Sequence, residues 1–275
     1  MNDSLRCEIC LSSQLQVIEA NSPPQRVLQC NQCGFVFVHP HPDRNALRRH
    51  YDGKYYAAWM DSQRYRRRRM WEDRIRKVER WKQRGKLLDI GCGEGHFIEV
   101  AKTKGWKVFG TEISRFACEQ ASAAIGQSIF WGEIWEAGFA ANSFDVVTLW
   151  HVLEHVTEPL RVLHEANNLI KPDGIIVLAV PNVNDKFLQL AYRLIKGRRP
   201  VLFSAGDREV HLYHFSVNTI KALLARARFR CRRIGPDFGI IGPAKKFVNI
   251  LATVPFYLAK QHQYNAIEVI ATPIK

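Results

Sequence analysis

Two constellations in the 275-residue sequence have residue types and spacings that do chemistry. His151-Val152-Leu153-Glu154-His155 spells H-x-x-E-H, the string with which one zinc-peptidase class binds metal through two histidines and activates water through the glutamate. Cys7-x-x-Cys10 and Cys30-x-x-Cys33 are two C-x-x-C pairs separated by 19 residues. Each pair can wrap one side of a tetrahedral ion, and the chain between them closes a four-thiolate site suited to Zn2+. Such an ion would supply folding energy that a segment of ~40 residues cannot draw from its own core. With no histidine and no open coordination position, this site reads as structural. A redox pair or four unrelated thiols are the other readings. Cys92, Cys118 and Cys231 bring the cysteine count to seven, and an odd number argues against a disulfide framework.

What the H-x-x-E-H string can do depends on the element that carries it. A peptidase needs it within a helix, so that histidines four apart share a face. Asp145 to Leu149 directly before it reads as a buried strand, which puts His151 to Val156 on the loop leaving that strand. From residue 86 onward strands and helices alternate. Strands are expected at 86–90, 107–113, 127–131, 144–149 and 174–180, and helices at 97–104, 115–124 and 159–170. After Pro181 the rhythm breaks, then resumes with a helix at 217–228 and strands near 229–234 and 266–272. The last two strands pair as a hairpin on the sheet edge. The fold class is α/β, a seven-stranded Rossmann-like sheet behind an N-terminal zinc ribbon. The domains expected are 1–42, the ribbon; 43–85, a basic helical linker or cap; and 86–275, the α/β domain with an insert at 182–210.

The loop after the first of these strands reads Asp89-Ile90-Gly91-Cys92-Gly93-Glu94-Gly95. Glycines let the backbone turn tightly and approach a ligand. Asp89 suits a cationic ligand better than a pyrophosphate. Glu112 closes the second strand, where an acid can take both ribose hydroxyls. Glu133 and Ile134 after the third strand offer a carboxylate for an adenine amine and an apolar side chain for its ring. A positively charged nucleoside, S-adenosyl-L-methionine, fits all three. Cys92, between the glycines, reads as a small buried filler and not as a nucleophile.

On DIGCGEGHF, TEIS and WHVLEHV, residues 86–275 resemble the class I S-adenosylmethionine-dependent methyltransferases. The resemblance implies that Asp89, Gly91, Gly93, Gly95 and Trp150 line the methionine and ribose part, that Glu112 binds ribose, and that Ile113, Glu133 and Ile134 flank adenine. It makes the 151–155 loop the acceptor side. His155 is then a base oriented by Glu154, with His151 beside it; the alternative is that Glu154 and His155 cap the next helix and His151 packs beside the cofactor. His214 and, from a Tyr-rich stretch in the linker, Tyr55 and Tyr56 are candidate substrate contacts. An ordinary amphipathic connector also explains that stretch.

Net charge is +14, unevenly spread: −5 over 86–192, but +9 over each of 43–85 and 193–233. Such a field attracts anionic partners. No apolar run approaches the ~20 residues of a membrane span, and no secretory signal is evident, so the expected setting is the cytoplasm. In the insert, Phe187, Leu188, Leu190, Ala191, Leu194 and Ile195 form an apolar face followed by Lys196, Arg198 and Arg199. This suits a membrane surface or a lid over a hydrophobic substrate; core packing is the plainer reading. A second apolar stretch runs from Phe247 to Leu258. The expected acceptor is a small molecule or glycan, lipid- or nucleotide-linked forms included, methylated on oxygen or carbon. The alternative is rRNA or tRNA gripped by the ribbon and the arginines. The Asn/Asp-Pro-Pro-aromatic loop of base N-methyltransferases is absent after the fourth strand, which makes nucleic acid the weaker partner.

Overall fold

The computed structural model describes residues 5–51, 64–237, 239, 253, 258 and 262–275. Tyr55, Tyr56 and most of the apolar stretch at 247–258 lie outside the described residues.

Five strands follow the alternation read from the sequence: β4 (Lys86–Ile90), β5 (Lys107–Glu112), β6 (Phe130–Trp131), β7 (Phe144–Trp150) and β8 (Ile170–Pro181). They pair in parallel in the order β8-β7-β4-β5-β6. The sheet is completed by the hairpin of β10 (Phe229–Pro236) and β11 (Ala266–Pro273). The hairpin forms as expected, but β11 enters antiparallel between β8 and β10, so β10 is the edge. Strand β6 is only two residues long. Strand β8 begins at Ile170, earlier than expected: Phe144 pairs with Ile170 and Val146 with Ile175, so residues 171–174 are looped out of register.

Side chains alternate across each strand and so feed two cores. Leu88, Val147, Leu149, Ile176, Leu178 and Val180 face helices α5 (Pro159–Leu169) and α7 (Val217–Arg226). Leu87, Val146, Ile175, Val177 and Ala179 face α2 (Arg64–Glu79), α3 (His96–Thr103) and α4 (Arg115–Ile125). Burial on both faces is why these strands read as near-continuous apolar runs. The linker also contributes α1 (Arg44–His50), and α2 docks on the sheet through Ile75 and Val78.

The N-terminal segment is a meander, β1 (Leu15–Ser22), β2 (Gln25–Cys30) and β3 (Val36–His39). Its sheet gains a fourth strand from the later part of the chain, β9 (Tyr213–His214), which pairs with β3 through Val36↔His214 and Phe37↔Tyr213. Phe35 stacks on Tyr213, ring centroids 5.7 Å apart, and the meander's buried residues are continuous with the α5/α7 core.

The insert forms helix α6 (Lys186–Lys196), N-capped by Asp185 and ended at Gly197. None of its residues is buried, which rules out core packing for this helix: Leu194 is 77% and Ile195 76% exposed.

Candidate active site

The carboxyl ends of β4, β7 and β8 open on one cavity of 1140 Å3, as expected of an open parallel sheet. On one side is the glycine loop. Gly91 has φ +67°, and a Cβ there would lie 2.8 Å from the Val152 side chain. Gly95, φ +81°, is the N-cap of α3, and a Cβ there would lie 2.9 Å from the Ala121 Cβ. The chain can make this turn only with glycine at these positions.

Asp89 at the floor is 2% exposed, and its carboxylate accepts a 2.6 Å hydrogen bond from the Thr148 hydroxyl. Burial pushes its pKa up to about 7, against the Thr148 bond and the attraction of Arg74. Glu112 is also buried and raised; its carboxylate accepts from the N–H groups of Gly93 (2.8 Å) and Ser114 (2.9 Å).

Opposite lies the string that opened the question. Residues 151–155 are not helical; they form a turn leaving β7, with His151 at φ +57° and the His155 N–H donating to the Val152 carbonyl. The peptidase geometry is therefore absent. Nor do Glu154 and His155 cap α5, whose N-cap is Glu158. His151 sits between two buried carboxylates, Nε2 3.2 Å from Asp237 and Nδ1 3.4 Å from Glu154. Burial opposes its charge, but these two acids overcome that and raise its pKa to about 9. Asp237 also pairs at 2.6 Å with Arg74, whose guanidinium lies over the rings of Trp71 and Trp150.

His155 differs. Its Nδ1 is 2.8 Å from the Val210 carbonyl and 2.9 Å from the Tyr51 hydroxyl. A carbonyl only accepts, so Nδ1 carries the hydrogen and Nε2 keeps its lone pair, 4.0 Å from Glu154. Burial lowers the His155 pKa, keeping the ring neutral. His214 is pushed down to about 3 by burial and by neighbouring His211. Ser216 caps α7, its Oγ accepting from the Thr219 N–H.

The cavity thus brings together Asp89, Gly91, Gly93 and Trp150 with His151, Glu154, His155 and His214. It does not bring Gly95, Glu112, Ile113, Glu133 or Ile134 to its wall. Glu112 stands directly behind, bonded to Gly93. Glu133 N-caps a short 3-10 helix at Ile134–Glu136, and Ile134 is buried. Arg74 and Asp237 were not foreseen; Tyr51 stands in the Tyr-rich stretch and His211 in the histidine cluster with His214, but neither was assigned a role. Asp237 follows the end of β10, so the rule that ligands meet strand carboxyl ends points to it; nothing in the sequence separates Arg74 from its neighbouring arginines.

At the other end, the Sγ atoms of Cys7 and Cys33 are 3.5 Å apart, those of Cys10 and Cys30 3.4 Å, and all four lie within 4.8 Å of one another. Each C-x-x-C turns back on itself, with Leu11 N–H donating to Cys7 and Gly34 N–H to Cys30, both following residues at positive φ. These separations suit four thiolates about 2.3 Å from one ion.

Residues 62–233 match the family model described as a methyltransferase domain. A ubiquinone biosynthesis O-methyltransferase of Ralstonia nicotianae is 35% identical over 112 residues, 38% of this chain and 47% of that protein. The chain thus spans about half the length of the curated relatives it matches. An S-adenosylmethionine-dependent methyltransferase from Mesorhizobium loti superposes with a TM-score of 0.51 at 17% identity, covering 74% of this chain and 97% of that one. One from Archaeoglobus fulgidus gives 0.54 at 18%, covering 79% and 99%. With the sheet order, the glycine loop and the family match in agreement, the chain belongs to the methyltransferase-domain family.

Proposed function

We propose that the protein is an S-adenosylmethionine-dependent methyltransferase that O- or C-methylates a sugar or related hydroxylated small molecule. The observation that carries this reading is the single cavity joining Asp89 and the glycine loop to the 151–155 turn. A buried carboxylate whose pKa is held near 7 by burial is short of a counter-cation, and a ligand carrying an amine and a sulfonium supplies one. Asp89, Gly91, Gly93 and Trp150 would hold the methionine and ribose portion, with Gly95 shaping the turn and Glu112 taking the ribose hydroxyls. Ile113, Glu133 and Ile134 would flank adenine.

Bound S-adenosylmethionine supplies an electrophilic methyl group for in-line displacement. The protein then needs alignment and a proton acceptor. His155 Nε2 carries the free lone pair and receives the acceptor's proton, while Glu154 beside it favours the resulting imidazolium. The Val210 carbonyl fixes the ring. His151, protonated between Asp237 and Glu154, presents a fixed positive charge to an acceptor oxygen. His214, Tyr55 and Tyr56 are the proposed substrate contacts. The four cysteines hold a structural Zn2+, and residues 1–42, 43–85 and 86–275 act as ribbon, cap and catalytic domain.

The curated relative's name supports a small-molecule O–H as acceptor. The exposed Leu190, Leu194 and Ile195 of α6 beside Arg193 and Lys196 support a lipid-linked one presented at an anionic membrane face. No described helix is long and apolar enough to cross a membrane. The test is transfer of labelled methyl from S-adenosylmethionine into fractionated small molecules, lipids and RNA. Label is expected in the small-molecule or lipid fraction and should fall at least tenfold in His155→Ala; label in RNA overturns the acceptor assignment.

A further inference from the structure

Behind the His155 ring, opposite its free lone pair, two oxygens converge on one nitrogen: the Val210 carbonyl lies 2.8 Å from Nδ1 and the Tyr51 hydroxyl 2.9 Å. We propose that Tyr51 is a positioning residue for the base: its hydroxyl oxygen shares the Nδ1 hydrogen with Val210, holds the ring in place, and stabilises the imidazolium formed when Nε2 takes the acceptor's proton. The inference rests on reading His155 as that proton acceptor.

Only one placement of the hydrogen suits both oxygens. Were Nδ1 bare, Tyr51 could donate to it, but the Val210 carbonyl would then face a lone pair at 2.8 Å. With the hydrogen on Nδ1, both oxygens accept it in a three-centre bond. During transfer the acceptor oxygen bonds the methyl carbon, the sulfonium S–C bond breaks, and the O–H proton passes to Nε2. The ring is then cationic, and its Nδ1–H becomes a charge-assisted donor that both oxygens hold more strongly than before. A contact that strengthens as charge develops lowers the barrier instead of merely binding the ground state. Glu154 serves the other nitrogen, with Oε1 4.0 Å from Nε2.

The chain builds a fixed seat for this hydroxyl. Helix α1 is capped by the Asp43 carboxylate, which accepts from the Ala46 N–H, and Tyr51 ends it, its own N–H donating to the Leu47 carbonyl. Leu47 is buried in the core that the ribbon shares, and Tyr51 is itself buried. The preceding His50 Nε2 is 2.8 Å from the Arg208 carbonyl, so consecutive side chains at the end of α1 grip the 208–210 segment and the base together. The Tyr51 ring stands edge-on to His155, centroids 5.9 Å apart at 84°, a packing that phenylalanine could reproduce. Only the hydroxyl reaches Nδ1. The other titratable groups facing His155 are Glu154 on its own turn and Glu209 and His211 on the segment across from it.

Tyr51→Phe removes the oxygen and keeps the ring, so it isolates the contact. The full chain with 15N-labelled histidine is titrated with acid by NMR, with His155 assigned from its loss in His155→Ala, and no acceptor is needed. Losing one accepted hydrogen bond from the charged ring should weaken proton binding at His155 by about three- to tenfold, while the other histidines stay put. In transfer of labelled methyl into the small-molecule and lipid fractions, the acidic limb of the rate should move to lower pH by the same factor. The maximal rate should fall about three- to tenfold, with the KM for S-adenosylmethionine unchanged. A His155 titration that does not move, or a slower rate with the acidic limb in place, overturns the role of Tyr51. Failure of the wild-type chain to bind S-adenosylhomocysteine in calorimetry overturns the methyltransferase reading instead, and the His155 titration of the ligand-free chain still decides whether Tyr51 holds the ring.

Discussion

Replacing Asp237 by Asn removes the carboxylate that pairs with the buried Arg74 guanidinium and with His151 Nε2. Arg74 and Asp237 are only 4% and 2% exposed, so the variant leaves a cation in the interior with its partner neutralised. Breaking a buried pair from one side costs about 3–5 kcal/mol, and about 3 is expected here because the Trp71 and Trp150 faces still hold the cation. His151 adds a pH signature. Its folded pKa is raised to about 9 from an unfolded value of about 6.5, so the stability it contributes is complete below about pH 6.5 and is lost as pH rises through 9. The ring is 35% exposed, and solvent screening reduces this contribution to about 1–2 kcal/mol. Urea unfolding of both proteins from pH 6 to 9.5 should show the wild type converging on Asp237→Asn as pH rises. The double variant Arg74→Met/Asp237→Asn should recover most of the loss, since an apolar pair of similar volume replaces the ions. A loss under about 1 kcal/mol, or a difference that does not narrow with pH, would refute the reasoning.

Asp89, held up to about 7, should make S-adenosylmethionine binding weaken as pH falls below 7, with proton release on binding in that range; Asp89→Asn should abolish the pH dependence in calorimetry. Gly95→Ala forces a Cβ to 2.9 Å from the Ala121 Cβ at positive φ, and should cost about 2 kcal/mol in thermal or urea unfolding; a loss below about 0.5 kcal/mol would contradict the close approach. Cys7→Ser should lower bound zinc well below one per chain by metal analysis and increase amide exchange over β2, β3 and β9, since all three belong to one sheet; a change confined to residues 5–39 would disconnect the knuckle from β9.

The parts of the site that were legible in the sequence are those fixed by local backbone needs. The glycine loop announced itself because only glycine makes that turn, and the 151–155 turn because a buried strand runs directly into it. What was not legible depends on partners distant in the chain. Arg74 is one arginine among many on α2 until Asp237 and the Trp150 ring bury it. A two-residue strand such as β9 has no periodicity of its own; its existence is decided by β3. On the adenine side, Ile134 is buried and Glu133 opens a 3-10 turn directly after the two-residue β6, so the cavity wall does not include them and their place beside adenine is carried by the sequence pattern alone. The basic insert was ambiguous by pattern, since an apolar stripe looks the same whether a core or a lipid covers it; only its exposure separates them.

Strand β9, which the later part of the chain lends to the meander's sheet, makes a cut at residue 86 a poor dissection. Phe35 lies against both Tyr213 and Phe215, with ring centroids 5.7 Å away in each case, and Val38 N–H donates to the Leu212 carbonyl. A fragment beginning at β4 would bare two aromatic rings and an unpaired strand edge directly beside the 151–155 turn, the makings of a sticky, self-associating species. A ribbon borrowed from another protein would bring its own ion but no ring shaped for that aromatic seat. In this architecture the N-terminal piece is less a detachable accessory than a keystone, and it can be exchanged only together with the 209–215 segment on which it rests.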